Sequence, residues 1–497
     1  MIDTAATATP PDAEIVALLS KLAIPITRIT SDSRKLRQGD AFAAYRGSHD
    51  DGRRFIAEAI VRGAGAILWD PDGFSWRREW RLPHLAVENL KARLGNIADV
   101  IYGHPSRDLW VVGVTGTNGK TSCVHWIAAG LDAVGKRGAV LGTLGNGLWG
   151  SLGTATHTTP DAAELHELLR AFMNQGAEAV AIEVSSHGLD QGRVNGVAFD
   201  VALFTNLSRD HLDYHGSMAA YAAAKAKLFA WPGLRVGVVN ADDAFGQSLI
   251  DSARVAGRKI LTYGFGAADI GGSRLTATSL GLAFTVETPW GKGEIYSRLI
   301  GAFNAANLLG CLSVLLVSGV ALETALAFLA GVDAPTGRMQ RLGGDGAPLV
   351  VIDYAHTPDA LDKVLTSLRS AVTGSGELVC VFGCGGDRDR GKRPEMGRVA
   401  ARLADRVIVT SDNPRNEDPE AIASDIVHGI RDTGNRRYAV DLDRASAIAT
   451  AIGEAQVGDV VLVAGKGHEP YQERAGVRFP FLDADHATHA LAKRVSP

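Results

Sequence analysis

Four cysteines in 497 residues are a sparse supply, and Cys123, Cys311, Cys380 and Cys384 include no C-x-x-C pair. Neither a disulfide framework nor a cysteine zinc site is indicated, and a reducing cytoplasm is the expected home. An excess of charge is missing too, because 51 Lys and Arg against 55 Asp and Glu leave a net charge of -4. Broad binding to nucleic acid needs a clustered basic surface, so no nucleic-acid partner is expected, although local anion pockets stay open. The opening MIDTAATATPPDAEIVALL has no basic flank ahead of its apolar residues and does not read as a secretory signal. Long hydrophobic runs are also absent. The Ala- and Leu-rich stretch from Leu308 to Ala330 is interrupted by Gly310, Ser313, Gly319 and Glu323, which suits a buried amphipathic helix pair better than a membrane span.

What is present is the composition of a soluble multidomain protein, 46% hydrophobic and 21% charged. A prior of about 150 residues per domain predicts about three α/β domains, drawn here at 1–106, 107–337 and 338–497. The first mixes short apolar runs with turn signals at Gly39-Asp40 and Asp51-Gly52. The second opens with the run LWVVGV, a glycine-rich loop and a helix-like segment, then continues with apolar runs at Ala179 to Val184, Val201 to Phe204 and Val236 to Val239. Helix-length spacers between such runs predict a parallel sheet wrapped by helices. Residues 258–300 alternate Thr, Leu, Phe and Val, which predicts an antiparallel patch. The third block repeats the strand and helix rhythm in the doubly wound, Rossmann-like style, and an interdomain cleft is a natural ligand site.

The chemistry-bearing residues cluster where these runs end. Gly116, Thr117, Asn118, Gly119, Lys120, Thr121 and Ser122 lie where a strand turns into a helix, so backbone N–H groups and the helix dipole can receive phosphate oxygens. Lys120 is placed to meet the β/γ-phosphates and Thr121 a magnesium ion. The pattern is a variant, since a strict phosphate loop has glycine at position 114, which is Val114. Glu183 closes the next strand, where a nucleotide-bound cation sits in such sheets. In Asp210-His211-Leu212-Asp213-Tyr214-His215, surface histidines fit the spacing as well as metal ligands do. Lys225 read alone is a helix-surface lysine, because an ammonium beside a magnesium site repels the ion. Asp418-Pro419 has the form of an N-cap and first helical residue, so Arg415 hangs from a loop between rigid elements, where a guanidinium grips a carboxylate with two parallel hydrogen bonds. A surface arginine in a turn is the alternative. The run from Gly383 to Arg390 offers a second basic loop, with aspartates that cancel much of its charge.

Taken together, GTNGKTS, EVSSH, SRDHLDYHG, GAFNAAN, GRM, DYAHTPDAL, GCGGDRDRGKRPEMG, DNPRNEDP and GKGHE resemble the Mur ligase family, in family order from Gly116 to Glu469. SDSR at Ser31 to Arg34 and GSHDDGRRFI at Gly47 to Ile56 resemble the diaminopimelate-adding branch, so the match spans nearly the whole chain. The resemblance implies three domains that bind, in order, a UDP-sugar, ATP and an incoming amino acid. It implies ATP and magnesium as cofactors, with Thr121, Glu183, His211 and a carbamylated Lys225 holding the metal. Carbamylation turns the lysine into a carboxylate-like ligand and removes the repulsion. Lys120, Glu183, His211 and Lys225 become the catalytic set, and Asn304, Arg338 and Asp353 help place the nucleotide.

Ser31, Ser33, Ser48, His49 and Asp50 match contacts to the UDP portion of UDP-N-acetylmuramoyl-L-alanyl-D-glutamate. His157, Thr158, Thr159, Ser185, Gln191 and Arg193 match contacts to its muramoyl-dipeptide, with His157 a mild departure from the common asparagine. Arg388, Asp412, Asn413, Pro414, Arg415, Gly465 and Glu469 match the residues that read meso-diaminopimelate. A monomer is expected. Lysine-adding relatives depart from DNPR, and folylpolyglutamate-type ligases lack the UDP-binding domain. A P-loop switch that hydrolyses ATP without co-substrates is the rival from another class.

Overall fold

The computed structural model describes residues 10–47, 50–278, 281–344 and 346–495. Ser48 and His49 therefore lie outside the described residues. Among the described residues, three large sheets carry the fold, with a two-stranded hairpin of Tyr471–Arg474 and Val477–Pro480 beside them. The N-terminal one has four parallel strands, Ile29–Thr30, Ala41–Ala44, Ala66–Trp69 and His84–Ala86, in sequential order. Helix Leu90–Ile101 covers it, burying Leu90, Leu94, Ile97 and Ala98 at i, i+4, i+7 and i+8.

The central sheet has eleven strands. Six parallel neighbours form its middle, in the spatial order Ile260–Gly264, Val236–Asn240, Val201–Phe204, Trp110–Thr115, Ala179–Glu183, Gly138–Gly142. These strands are mostly apolar and mostly buried, with only Trp110, Ile260 and Leu261 part-exposed, as a sheet covered on both faces requires. The expected antiparallel patch is present as a meander of Ile270–Thr278, Gly281–Thr288 and Gly291–Ser297, but Ile260–Gly264 pairs in parallel and belongs to the middle.

The third sheet orders Gln340–Gly343, Leu349–Asp353, Val460–Ala464, Leu378–Phe382, Arg406–Val409 and Tyr438–Val440, parallel except at the first strand. Helices Pro358–Arg369, Lys392–Leu403 and Pro419–Arg431 pack on one face, and Arg444–Glu454 and Asp483–Val495 on the other. This is the doubly wound arrangement.

The expected amphipathic helix pair is only half right. Helix Ala302–Val317 is buried on every side from Asn307 to Leu316, wedged between the central sheet and the helix Lys120–Ala133. Only its partner, Leu322–Ala330, is one-sided, burying Ala325 and Leu329. A helix buried all round reads as apolar all round, so periodicity could not mark a facing side. Among the described residues, no helix is long and apolar enough to cross a membrane.

Candidate active site

Parallel register brings the ends of four central strands together. Val114 is level with Glu183, Thr115 with Phe204, and Leu141 with Ile182. The loops that follow therefore share the carboxyl edge of the sheet, where α/β folds bind ligands. Gly116 to Gly119 turn the chain from strand to helix. Gly119 sits at φ +86°, and a Cβ there would lie 2.5 Å from Asn307 Oδ1, so both conformation and space demand glycine. Thr205 and Asn206, from the neighbouring strand end, brace the loop. Asn206 Oδ1 accepts from the Asn118 N–H at 3.0 Å, its carbonyl accepts from the Thr117 N–H at 2.8 Å, and Thr205 Oγ1 donates to the Asn118 carbonyl at 2.6 Å.

Lys120 curls back, donating to the carbonyls of Gly116 and Thr117 at 2.8 Å each. Burial lowers its pKa, opposed by Glu183 and Asp210. Lys225 is not the surface lysine that its local sequence suggests. It is 1% exposed, donates to the Gly116 carbonyl at 2.9 Å and lies 4.5 Å from the Tyr221 ring centroid. Burial first, and then the charge of Lys120, push its pKa well below the ordinary lysine value, toward the neutral amine.

Glu183 is buried and accepts from Thr121 Oγ1 at 3.0 Å. Arg338 reaches Thr121 Oγ1 at 3.3 Å with one arm and lies over the Tyr354 ring, 4.4 Å from its centroid. Asp353 accepts from the N–H groups of Met339 and Ala355, each at 2.8 Å, and burial raises its pKa despite Arg338. Asn304 opens the buried helix, donating to the Ile300 carbonyl at 2.9 Å and accepting from Asn307 at 3.2 Å. His211 adopts the left-handed region at φ +53°, beside His187 at a ring separation of 4.9 Å. Burial is the main cause lowering its pKa, with Lys120 and Lys225 acting in the same direction.

On the N-terminal side, Thr159 Oγ1 donates to the Glu183 carbonyl at 2.7 Å and lies 3.0 Å from Ser185 Oγ. Arg193 donates to Gln191 Oε1 at 3.0 and 2.7 Å and to the Thr159 carbonyl at 2.9 Å, so Thr159, Ser185, Gln191 and Arg193 form one wall, with Thr158 next in the chain. His157 adjoins it, with its pKa lowered by burial and then by Arg193. Ser33 is buried, and Asp50 Oδ1 accepts from the Asp51 N–H at 3.1 Å.

The third sheet assembles the remaining residues by the same logic, since Asp353 and Phe382 are both level with Ala464. Arg415 is half-buried, at φ +50°, pinned by its N–H to the Glu473 carbonyl at 3.0 Å and by Nη1 to the Gly386 carbonyl at 2.7 Å. A Cβ at Gly385 would stand 2.9 Å from Arg415 Nη1 and 3.7 Å from Arg388 Cγ, so both arginines flank one glycine. Beside them, Glu469 Oε2 accepts from Asn413 at 2.7 Å and from Lys466 at 3.0 Å, and Lys466 also donates to Asn413 Oδ1 at 3.1 Å. Asp412 accepts from the Asn413 N–H at 2.6 Å, and a Cβ at Gly465, which sits at φ +111°, would lie 2.6 Å from its Oδ2. Three cations, Arg388, Arg415 and Lys466, with the carboxylates of Asp412 and Glu469, suit a ligand bearing both acid and amine groups.

Sequence reasoning missed Thr143, Thr205, Asn206 and Lys466. Thr205 and Asn206 follow an apolar strand directly, a position from which they could have been suspected. Among the described residues, the only close trio of potential metal-ligating groups is Asp12, Asp99 and His104. Arg107 pairs with Asp12 at 2.6 Å, which makes that trio an ion-pair cluster.

Fold and site together define a ligase built on a P-loop nucleotide-binding sheet. Profiles described as Mur ligase family, catalytic domain, Mur ligase middle domain, and Mur ligase, glutamate ligase domain match residues 25–102, 114–315 and 337–467. A UDP-N-acetylmuramoyl-L-alanyl-D-glutamate--2,6-diaminopimelate ligase of Chromobacterium violaceum is 53% identical, covering 96% of this chain and 97% of its own. One of Neisseria meningitidis serogroup B is 47% identical over 93% and 94%. A solved structure of a ligase with the same name is 39% identical, covers 96% of each chain and has a TM-score of 0.68. At 19% identity and TM-score 0.62, the MurF ligase of Thermotoga maritima in complex with ADP shares the fold. The chain belongs to the Mur ligase family.

Proposed function

We propose that this chain joins meso-2,6-diaminopimelate to UDP-N-acetylmuramoyl-L-alanyl-D-glutamate with conversion of ATP to ADP and phosphate, a step of peptidoglycan synthesis. The observation that carries the reading is the pair Arg388 and Arg415 beside Asn413 and Glu469. It supplies a guanidinium for the distal carboxylate of diaminopimelate, which lysine lacks, and a carboxylate for the ammonium. The high identity to relatives named for this reaction supports it.

A carboxylate is a poor electrophile, because direct loss of oxide is prohibitive. Phosphoryl transfer from ATP to the glutamyl carboxylate makes an acyl phosphate. The amine then attacks the carbonyl and phosphate departs from the tetrahedral intermediate. In this reading the unit 1–106 binds the UDP-sugar, with Ser31, Ser33 and Asp50 facing it, and 107–337 binds ATP. The unit 338–497 delivers the amino acid. Lys120 gives up its bonds to the Gly116 and Thr117 carbonyls and turns to the β/γ-phosphates, while Arg338, Asn304 and Asp353 place the nucleotide. His157, Thr158, Thr159, Ser185, Gln191 and Arg193 hold the muramoyl-dipeptide with its free carboxylate toward the loop.

Magnesium, which neutralises phosphate charge in such transfers, fits the donors present: Thr121 Oγ1, the Glu183 carboxylate, a neutral His211 and Lys225. Burial keeps Lys225 near its neutral form, the one that adds carbon dioxide to become a carbamate. The enzyme acts as a cytoplasmic monomer. Purified protein given the UDP-muramoyl-dipeptide, ATP and either diaminopimelate or lysine tests the proposal by product mass. A diaminopimelate adduct with matching ADP is expected. Equal use of lysine sinks the specificity, and robust ATP hydrolysis without co-substrates favours an ATPase switch.

A further inference from the structure

Glu183 is clamped on both oxygens. Oε1 accepts from the Thr143 N–H at 2.8 Å, and Oε2 lies 3.0 Å from Thr121 Oγ1 and 3.2 Å from Thr143 Oγ1. Thr143 Oγ1 is also 3.1 Å from Thr158 Oγ1. The Thr143 hydroxyl has one proton, which it donates to Glu183 Oε2 or to Thr158 Oγ1, while its backbone N–H holds Oε1 in either case. The strand Gly138–Gly142 runs parallel beside Ala179–Glu183, with Leu141 level with Ile182, which puts residue 143 just past the strand end next to the carboxylate. A side chain at Gly142 would collide with that carboxylate, so the backbone of 142 and 143 closes around it.

We infer that Thr143 is a positioning residue of the cation site, holding Glu183 in one orientation and joining it through Thr158 to the loop that takes the nucleotide substrate. The inference rests on the ligase reading above, in which Glu183 holds the metal. Thr143 touches neither metal nor substrate and acts through Glu183. Its N–H and hydroxyl reach both carboxylate oxygens, which holds the carboxylate in one orientation beside Thr121 of the phosphate loop. Such partners typically change metal affinity by about 10- to 100-fold when removed. Thr143→Val keeps the shape and the backbone N–H while deleting the hydroxyl, so the lower end of that range applies.

The test uses the whole protein with ADP and Mn2+ as the probe, with bound Mn2+ followed by electron paramagnetic resonance. Thr143→Val is expected to raise the Mn2+ dissociation constant about 10-fold. It is also expected to raise KM for the UDP-muramoyl-dipeptide while leaving KM for diaminopimelate unchanged. Thr143→Ser, which restores the hydroxyl, is expected to regain parental Mn2+ affinity. A Val variant with parental Mn2+ affinity overturns the inference, as does a Ser variant as impaired as Val. Glu183→Gln separates the two levels. If it weakens Mn2+ binding while Thr143→Val does not, only the role of Thr143 fails. If Glu183→Gln also binds Mn2+ normally, the placement of the metal at Glu183 fails with it.

Discussion

Replacing Arg444 by methionine removes a buried cation that ties together two strand ends at the amino-acid-binding edge of the third sheet. Arg444 and Asp483 are both 0% exposed, joined by two parallel hydrogen bonds of 2.7 and 2.8 Å. The same guanidinium donates to the Ala464 carbonyl at 2.9 Å and to the Ser411 carbonyl at 3.4 Å, the residues just before Gly465 and Asp412. Deleting one partner of a buried ion pair strands the other charge, at a cost of about 3–5 kcal/mol. For a unit of this size, about 4 kcal/mol lowers the melting temperature by about 8–16 °C. Arg444→Met with Asp483→Leu removes both charges and takes this donor from the Ala464 carbonyl, while the Ser411 carbonyl keeps Gln472 Nε2 at 3.5 Å, at a cost of about 1–3 kcal/mol. The double variant is therefore expected to melt above the single one. All eight tryptophans precede residue 338, so far-UV circular dichroism rather than tryptophan fluorescence must follow this unit. A single variant that melts within about 3 °C of the parent, or a double variant that falls as far as the single, refutes the reasoning.

His125 is buried beside Trp149, and desolvation, with Arg338 second, takes its pKa down to about 4 from the ordinary 6.5. Unfolding frees the imidazole to bind a proton, so its contribution, about 3 kcal/mol, is present above pH 6.5 and is lost as pH falls toward 4. Urea titrations across that window should show a weaker pH dependence in His125→Gln than in the parent, and equal slopes count against it. Arg415→Ala should raise KM for diaminopimelate at least tenfold while leaving KM for ATP near its parental value, about the loss expected from one charged hydrogen-bonded contact. Steady-state kinetics with each substrate varied decide this, and equal effects on both remove Arg415 from the amino-acid pocket. Gly119→Ala forces a Cβ toward Asn307 at φ +86° and should weaken ADP binding about tenfold by calorimetry, through a backbone strain of about 1–2 kcal/mol. Unchanged affinity shows that the loop tolerates a side chain.

Local chemistry made much of this protein legible before any coordinates. Glycines where strand becomes helix, apolar runs at parallel-sheet spacing and the Asp418-Pro419 helix start are short-range signals, and the helix Pro419–Arg431 begins there with Asp418 capping Glu420. Other properties depend on what lies across space. Lys225 reads as a surface lysine because its neighbours in sequence are alanines, yet the Gly116 carbonyl and the Tyr221 ring enclose it. Thr143 carries no motif, and its bonds to Glu183 exist because two strands 40 residues apart end side by side. Lys466 likewise finds Asn413 only through the register of the third sheet. Backbone preference and hydrophobic pattern act over a few residues and are written in the chain. Burial, and with it the protonation of a lysine or the aim of a carboxylate, depends on water excluded by segments far away in sequence, and only the assembled fold determines that.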